Sequence, residues 1–314
     1  MDVTVIGAGA SGLSFALFWG EGVQIIEMDA TPGGHARSIT KDGFLWDRGP
    51  HMMFSRDKAV LEFMVSSLGD NVHQCRRNNV VKVAGSTLQY PLENDLGSLP
   101  LDIATNCLAD FVDARLAAAS SPQVRNLEEW FLTHFGDGLT RLYFQPYNEK
   151  VWNIPLSELS MLWSERIPNP PVRDVVKGAM GKATEGYTHQ LFYNYPLKGG
   201  FGALMQSWAS QLPGSAIRLN TKVLSLRIVS DGIEVELENG HTQRSEIVVS
   251  TMPLDFLCRI TDECPDEIRA LADSLIVNPM TIVNFGFAGT DSNQYTAAYI
   301  PDSDFLVNRV SYPA

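Results

Sequence analysis

Val3-Thr4-Val5-Ile6-Gly7-Ala8-Gly9-Ala10-Ser11-Gly12, followed by a second short apolar run at Val23-Gln24-Ile25-Ile26-Glu27, decides the reading of this chain. The first four residues are mostly β-branched and predict a buried strand. The next six hold Gly-x-Gly-x-x-Gly, in which Gly7 permits the tight turn out of the strand, Gly9 lets the backbone approach a pyrophosphate, and Gly12 lets the following helix pack on the sheet. Ala8, Ala10 and Ser11 belong to the same turn, whose helix points its first N–H groups at phosphate. Glu27 stands twenty residues after Gly7, a spacing that suits a carboxylate accepting from a ribose hydroxyl and repelling a 2′-phosphate, so FAD or NAD is favoured over NADP. Glycine-rich turns are common, and the motif alone is weak; here strand, helix and acidic residue all fall into place.

Val3 to Gly20 carries only small or apolar residues apart from Thr4, Ser11 and Ser14, which imitates a secretory signal. A signal needs a basic n-region, and Asp2 is the single charged residue before Glu21. No other run approaches the roughly 20 apolar residues of a membrane span. The expectation is a cytoplasmic chain with no membrane span. Its 314 residues, 45% hydrophobic, suffice for about two domains and a substantial core. Cys75, Cys107, Cys258 and Cys264 lack Cys-x-x-Cys or Cys/His ligand spacing, and the six histidines are dispersed, so buried thiols are expected and no metal. A net charge of −12 without a basic stripe argues against nucleic acid as a partner, and leaves any anionic ligand to a few placed arginines and helix ends.

After the second strand, Thr31-Pro32-Gly33-Gly34-His35-Ala36-Arg37 joins two glycines to a guanidinium, an arrangement able to reach the cofactor phosphates from the other side or to serve as a plain turn. Phe44-Leu45-Trp46-Asp47-Arg48-Gly49-Pro50-His51 reads as a strand ending in a rigid turn that presents His51. These motifs together resemble the FAD-binding part of the flavin superfamily that holds amine oxidases, protoporphyrinogen oxidases and UDP-galactopyranose mutases. Gly49-Pro50-His51 and Leu88-Gln89-Tyr90-Pro91-Leu92 lean towards the mutase-like branch, as do Tyr147-Asn148-Glu149-Lys150-Val151-Trp152 and Arg166-Ile167-Pro168. Gly199-Gly200-Phe201-Gly202 is similar to the superfamily's glycine turn before the returning FAD strand.

The resemblance implies an α/β fold: a Rossmann-type FAD-binding domain (GR2-like) from residues 1–95 and 195–260, a mainly helical insertion over 96–194, and an antiparallel sheet of a substrate domain over 261–314 that is short at its C-terminal side. Apolar spacing agrees with helices between Leu99 and Leu142, where Ile103, Cys107, Leu108 and Phe111, then Leu127, Trp130, Phe131 and Phe135, are core candidates. Trp163, Tyr143 and Tyr187 add to an aromatic-rich segment in which rings suit either helix packing or a nucleotide sugar. Beyond Ala216 alternation predicts strands over 216–219, 223–230, 233–237 and 247–250, turning at Asp231-Gly232 and Asn239-Gly240, then at 280–288, 295–300 and 307–312.

Carried over by the resemblance, the cofactor contacts are Gly7, Ala8, Gly9, Ala10, Ser11, Gly12, Glu27, Met28, Gly33, Gly34, His35, Arg37, Gly49, Pro50 and His51, with backbone contacts at Val223 and Thr251. The implied catalytic residues are His51 near the flavin, Trp152 walling the sugar pocket, and Arg166 and Arg309 on a diphosphate; spacing alone reads Arg309 equally well as a surface strand residue. The implied reaction is pyranose/furanose isomerisation of a nucleotide-activated sugar through flavin N5. Two alternatives stay open: an oxidase or desaturase with an apolar tunnel that Met52, Met53, Met161 or Phe192 would line, and a non-catalytic dinucleotide-binding subunit or fragment. The family continues past the position of Ala314, which leaves a homo-oligomer or a completing partner chain as expectations to test.

Overall fold

A computed structural model describes residues 2–118, 123–167, 169–182, 184, 191–289 and 295–312, with Arg166 by its backbone alone. The chain divides into two units, Met1–Gln74 with Asn194–Phe287, and Cys75–Tyr193 with Ala288–Ala314.

The first unit is built on a parallel sheet in the order Ile247–Ser250, Val3–Ile6, Val23–Ile26, Ile217–Arg218. Val3–Ile6 is buried at all four positions, which is why its sequence is apolar without alternation. The helix Ala10–Trp19 leaves the sheet through Gly7 and buries Gly12, Leu13 and Ala16, the last two in the same cluster as Leu204, Met205 and Trp208 of the helix Gly202–Gln211. A three-stranded antiparallel meander follows, Val223–Val229, Gly232–Leu237 and Thr242–Ser245. Its last strand has no alternating apolar residues and is missing from the sequence reading; it forms because Asn239-Gly240 returns the chain against a partner already in place.

A small hairpin, Ser38–Lys41 with Phe44–Asp47, leads to Gly49. Asp47 is its organising group: the carboxylate accepts from the Ser38 hydroxyl, from the Tyr195 hydroxyl at 2.5 Å and from the Phe201 N–H at 3.1 Å. The glycine turn at 199–200 is thereby fixed against the hairpin, and a Cβ on Gly200 would lie 2.6 Å from an Asp47 oxygen.

The second unit holds the helices Leu101–Ala117, Leu127–Leu139 and Gln145–Trp152. Cys107, Phe111, Leu127, Phe131 and Phe135 fall in one core cluster, as their spacing predicts. Burial pushes the Cys107 thiol up to about 11, with the carboxylate of Asp110 adding to the effect, so it packs as a neutral side chain. Gly136 kinks the second helix at φ +77°, where a Cβ would meet the Asp110 carbonyl oxygen at 2.3 Å. A π-helical turn, Thr140–Phe144, joins that helix to the next and carries the buried rings of Tyr143 and Phe144.

The sheet of this unit runs in the order Arg309–Ser311, Ala297–Tyr299, Asn79–Val83, Ser86–Gln89. Its two C-terminal strands pair antiparallel as expected, Ala297–Tyr299 with Arg309–Ser311, and Ala297–Tyr299 pairs parallel with Asn79–Val81 on its other side. Residues 75–95 accordingly group with this unit, a long-range pairing that no local pattern announces. The expected strand over 280–288 is not formed. Among the described residues it has no ladder partner, and Met280, Val283, Phe285 and Phe287 are exposed; apolar alternation without a partner strand does not make a sheet.

Candidate active site

In the first unit, the turn at Gly7 to Gly12 forms a cradle bounded by backbone. Gly7 takes φ +102°, and a Cβ there would lie 2.5 Å from the Thr251 hydroxyl, which itself donates to the Ile6 carbonyl at 2.8 Å. A Cβ on Gly12 would lie 1.9 Å from the Gly7 carbonyl oxygen, so only glycine allows this helix to start where it does. Gly9 is different. Its φ of −75° is open to any residue, and the nearest atom to a Cβ would be the Gly34 Cα at 4.0 Å. The first turn of the helix Ala10–Trp19 has no side-chain cap, leaving its N–H groups directed at whatever fills the cradle.

Glu27 is buried and uses both oxygens on backbone: Oε2 accepts from Ala8 N–H at 2.7 Å and Oε1 from Asp29 N–H at 2.8 Å. Each oxygen keeps a further lone pair for a hydroxyl. Gly33 and Gly34, at φ +122° and +53°, close the opposite side, where Gly33 N–H donates to the Ala8 carbonyl at 2.7 Å. Arg37 pairs with Asp29 at 2.5 Å while its buried Nε has no partner. His51 Nε2 lies 2.9 Å from the His35 carbonyl, which can only accept, so that nitrogen carries a proton. Its ring rests on Phe201, with centroids 5.0 Å apart. Gly49 is buried at φ +105°, Met28 is 64% exposed, and Val223 is buried at the start of the meander.

In the second unit, the Tyr147–Trp152 motif divides its labour. Glu149 Oε1 accepts from the Gln145 amide and from Leu156 N–H at 3.1 Å, and Lys150 donates to the carbonyls of Ile300 and Asp302 at 3.2 and 2.6 Å. Both charged residues therefore staple structure, and Lys150 holds the loop between the two C-terminal strands of the sheet. Tyr147 and Trp152 present rings. Tyr147 stands edge-on to Tyr299 at 5.5 Å, Tyr90 also meets Tyr299 edge-on at 5.1 Å, and Trp152 meets Trp163 at 5.1 Å.

The Arg309 guanidinium carbon sits 5.6 Å from the Tyr299 ring centroid, a cation–π distance. The buried Arg309 Nε and Trp152 Nε1 have no hydrogen-bond partner, and a buried unpaired donor is costly unless a ligand fills it. Burial raises the Tyr147 phenol above its usual range, Arg309 opposing, so this ring is a neutral donor or platform at ordinary pH. The side chain of Arg166, at the end of the turn Met161–Arg166, lies outside the described residues, as do Pro168, Tyr187 and Ala314.

Sequence reasoning missed Glu93, 3% exposed in the turn Leu92–Asn94. Burial raises its carboxyl from 4.5 to about 7, opposed by its own backbone N–H. Between those values the folded state binds more protons than the unfolded chain, so stability falls as pH rises from about 4.5 and levels off above about 7. A Glu93→Gln variant is expected to lose this dependence: between pH 5 and 8 its unfolding free energy changes by up to ~3 kcal/mol less than that of the parent. Urea unfolding at the two pH values measures the difference, and identical pH dependence in both proteins would refute it.

Residues 20–295 match the family model described as flavin containing amine oxidoreductase. The chain belongs to this family. Coproporphyrinogen III oxidase of Bacillus subtilis (strain 168) is 22% identical over 298 residues, covering 84% of the chain and 62% of that protein. Protoporphyrinogen oxidase 2 of Arabidopsis thaliana is 23% identical over 299 residues, covering 80% and 57%. The chain thus spans about three fifths of the length of these relatives. Among solved structures, a reduced UDP-galactopyranose mutase superposes with a TM-score of 0.87 at 25% identity, over 99% of the chain and 69% of the mutase.

The family is flavin containing, and the cofactor of this chain is FAD. The cradle fits that cofactor on three counts: the uncapped helix start, the open approach above Gly9, and the unpartnered Arg37 Nε. No helix among the described residues is long and apolar enough to cross a membrane.

Proposed function

We propose that this chain acts on a nucleotide-activated sugar, interconverting its pyranose and furanose rings. The observation that carries the reading is Arg309, whose buried Nε has no partner and whose guanidinium lies over Tyr299 in a cluster of rings. A planar fork of donors beside aromatic faces suits a diphosphate next to a base or sugar. The likeness to the mutase, at TM-score 0.87, supports the choice of reaction.

In this reading Gly7, Ala8, Gly9, Ala10, Ser11 and Gly12 with Arg37 bind the FAD pyrophosphate, and Glu27 accepts from ribose. Met28, Gly33, Gly34, His35, Gly49, Pro50, Val223 and Thr251 line the cofactor, with His51 near its ring. When bound and reduced, FAD supplies a nucleophilic nitrogen for the anomeric carbon. The protein's own share is orientation and charge: Arg309 and Arg166 hold the diphosphate as it leaves and returns, and Trp152 walls the sugar and keeps water out. A cytoplasmic setting, where nucleotide sugars are made, belongs to the same reading.

A titration of the FAD-loaded protein with UDP tests it. Saturable binding with one site per chain is expected, and no binding at millimolar UDP would overturn the nucleotide part. A second reading, oxidation of a porphyrinogen, rests on the names of the two curated relatives. It requires net removal of electrons, so oxygen uptake with a porphyrinogen and none with a UDP-sugar would favour it.

A further inference from the structure

We propose that Tyr299 gives the ligand of Arg309 a second hydrogen-bond donor, and that Asn79 and Thr296 are positioning residues that keep this donor free. The inference rests on the reading above for the identity of the ligand as a diphosphate, and on hydrogen-bond direction for the rest.

The direction is fixed from one end. The backbone N–H of Asn78 can only donate, and it donates to Thr296 Oγ1 at 2.9 Å. The Thr296 hydroxyl keeps its own proton for Asn79 Oδ1, 2.7 Å away. An amide whose oxygen is occupied on that side must turn its NH2 group to the other, and Asn79 Nδ2 lies 2.9 Å from the Tyr299 hydroxyl. Tyr299 thus accepts, and its own proton has no acceptor among the described residues. Every link points the same way, and the last donor is left open. Asn79 is 4% exposed, so water does not easily substitute for these partners.

The open donor sits in a defined place. Tyr90 and Tyr147 hold the Tyr299 ring edge-on at 5.1 and 5.5 Å, and the Arg309 guanidinium lies 5.6 Å from its centroid with Nε unpartnered. Two open donors of this kind, one charged and one neutral, select an oxyanion and disfavour a ligand that must itself donate. The reverse arrangement, with Tyr299 donating to an acceptor at position 79, would leave only a lone pair to offer and would repel the same anion.

The test uses the FAD-loaded protein, calorimetric titration with inorganic pyrophosphate and with UDP, and two variants. Tyr299→Phe keeps the ring and its packing while removing the donor. It is expected to weaken both ligands roughly tenfold to a hundredfold, with an unchanged melting temperature and FAD content. Asn79→Asp places an acceptor where the amide donated, so the Tyr299 proton is consumed and a similar loss is expected although Tyr299 is intact. Undiminished pyrophosphate binding by Tyr299→Phe, or no pyrophosphate binding by the parent, overturns the donor pair. Undiminished binding by a folded Asn79→Asp overturns the positioning role; should that variant not fold, Tyr299→Phe decides alone. Pyrophosphate binding that depends on Tyr299 without any UDP binding upholds the donor pair while the nucleotide reading falls.

Discussion

A Gly9→Ala variant is expected to fold normally and to lose most of its FAD affinity. The two halves of that result have separate causes. Gly9 has φ −75°, and a Cβ there would find no atom closer than 4.0 Å in the protein itself, so folding is undisturbed and the melting temperature stays within a few degrees. The added methyl enters the space through which a pyrophosphate must approach the helix start. Overfilling a close-packed contact costs about 1–3 kcal/mol, or roughly 5- to 150-fold in Kd. Gly12→Ala is expected to fail differently, because its Cβ would stand 1.9 Å from the Gly7 carbonyl oxygen and the strand–helix junction itself must move. FAD titration by fluorescence quenching, beside thermal melting, separates the two. Gly9→Ala with parental FAD affinity would mean that the cofactor phosphates do not sit over this turn.

Arg309→Ala is expected to abolish measurable UDP binding while FAD content is unchanged. Truncating one side of a desolvated charged contact costs about 2–5 kcal/mol, roughly 30- to several-thousand-fold in Kd. Arg309→Lys retains the charge but not the planar fork, and recovers only part of that loss. The residue lies in a strand of the second unit and every proposed FAD contact lies in the first, so flavin content is an internal control. Equal loss of FAD and UDP would assign Arg309 a structural role instead.

The FAD cofactor is legible in one line of sequence because most of the cradle lies within a short stretch of chain. Gly7, Gly9, Gly12 and Glu27 lie within one strand–helix–strand unit: Gly12 is required by the Gly7 carbonyl a few residues away, Glu27 is held by the Ala8 and Asp29 N–H groups, and Gly9 leaves its space open for the ligand. Helical spacing likewise exposed the core through Phe111, Phe131 and Phe135. The candidate anion site depends on contacts far apart in the chain. Asn79 and Tyr299 meet across 220 residues, and nothing near either position signals the other. Lys150 shows the converse: a family motif marks it, yet its ammonium is spent on the carbonyls of Ile300 and Asp302. The segment 280–288 misled because alternation reports a face to bury and says nothing of whether a partner strand is present.

The pairing of Ala297–Tyr299 with Asn79–Val81 is what brings Tyr299 beside Asn79 and, through Arg309–Ser311, sets Arg309 on the neighbouring strand. A parallel pairing of this kind requires a long connection, here one that includes both the helical segment carrying Tyr147 and Trp152 and the stretch Asn194–Phe287 of the first unit. The topology thus gathers the rings and the arginine from three separate stretches of sequence. The fold and the candidate anion site have one cause.

The most direct measurement is turnover: the FAD-loaded protein, reduced with dithionite and kept anaerobic, incubated with UDP-galactopyranose and followed by chromatography for the furanose isomer. Conversion without net oxidation, dependent on reduced flavin and lost in Arg309→Ala, is the predicted result. No isomer from a protein that binds FAD, together with oxygen consumption on a porphyrinogen, would contradict the mutase reading and place the chain's chemistry with the oxidases of its family.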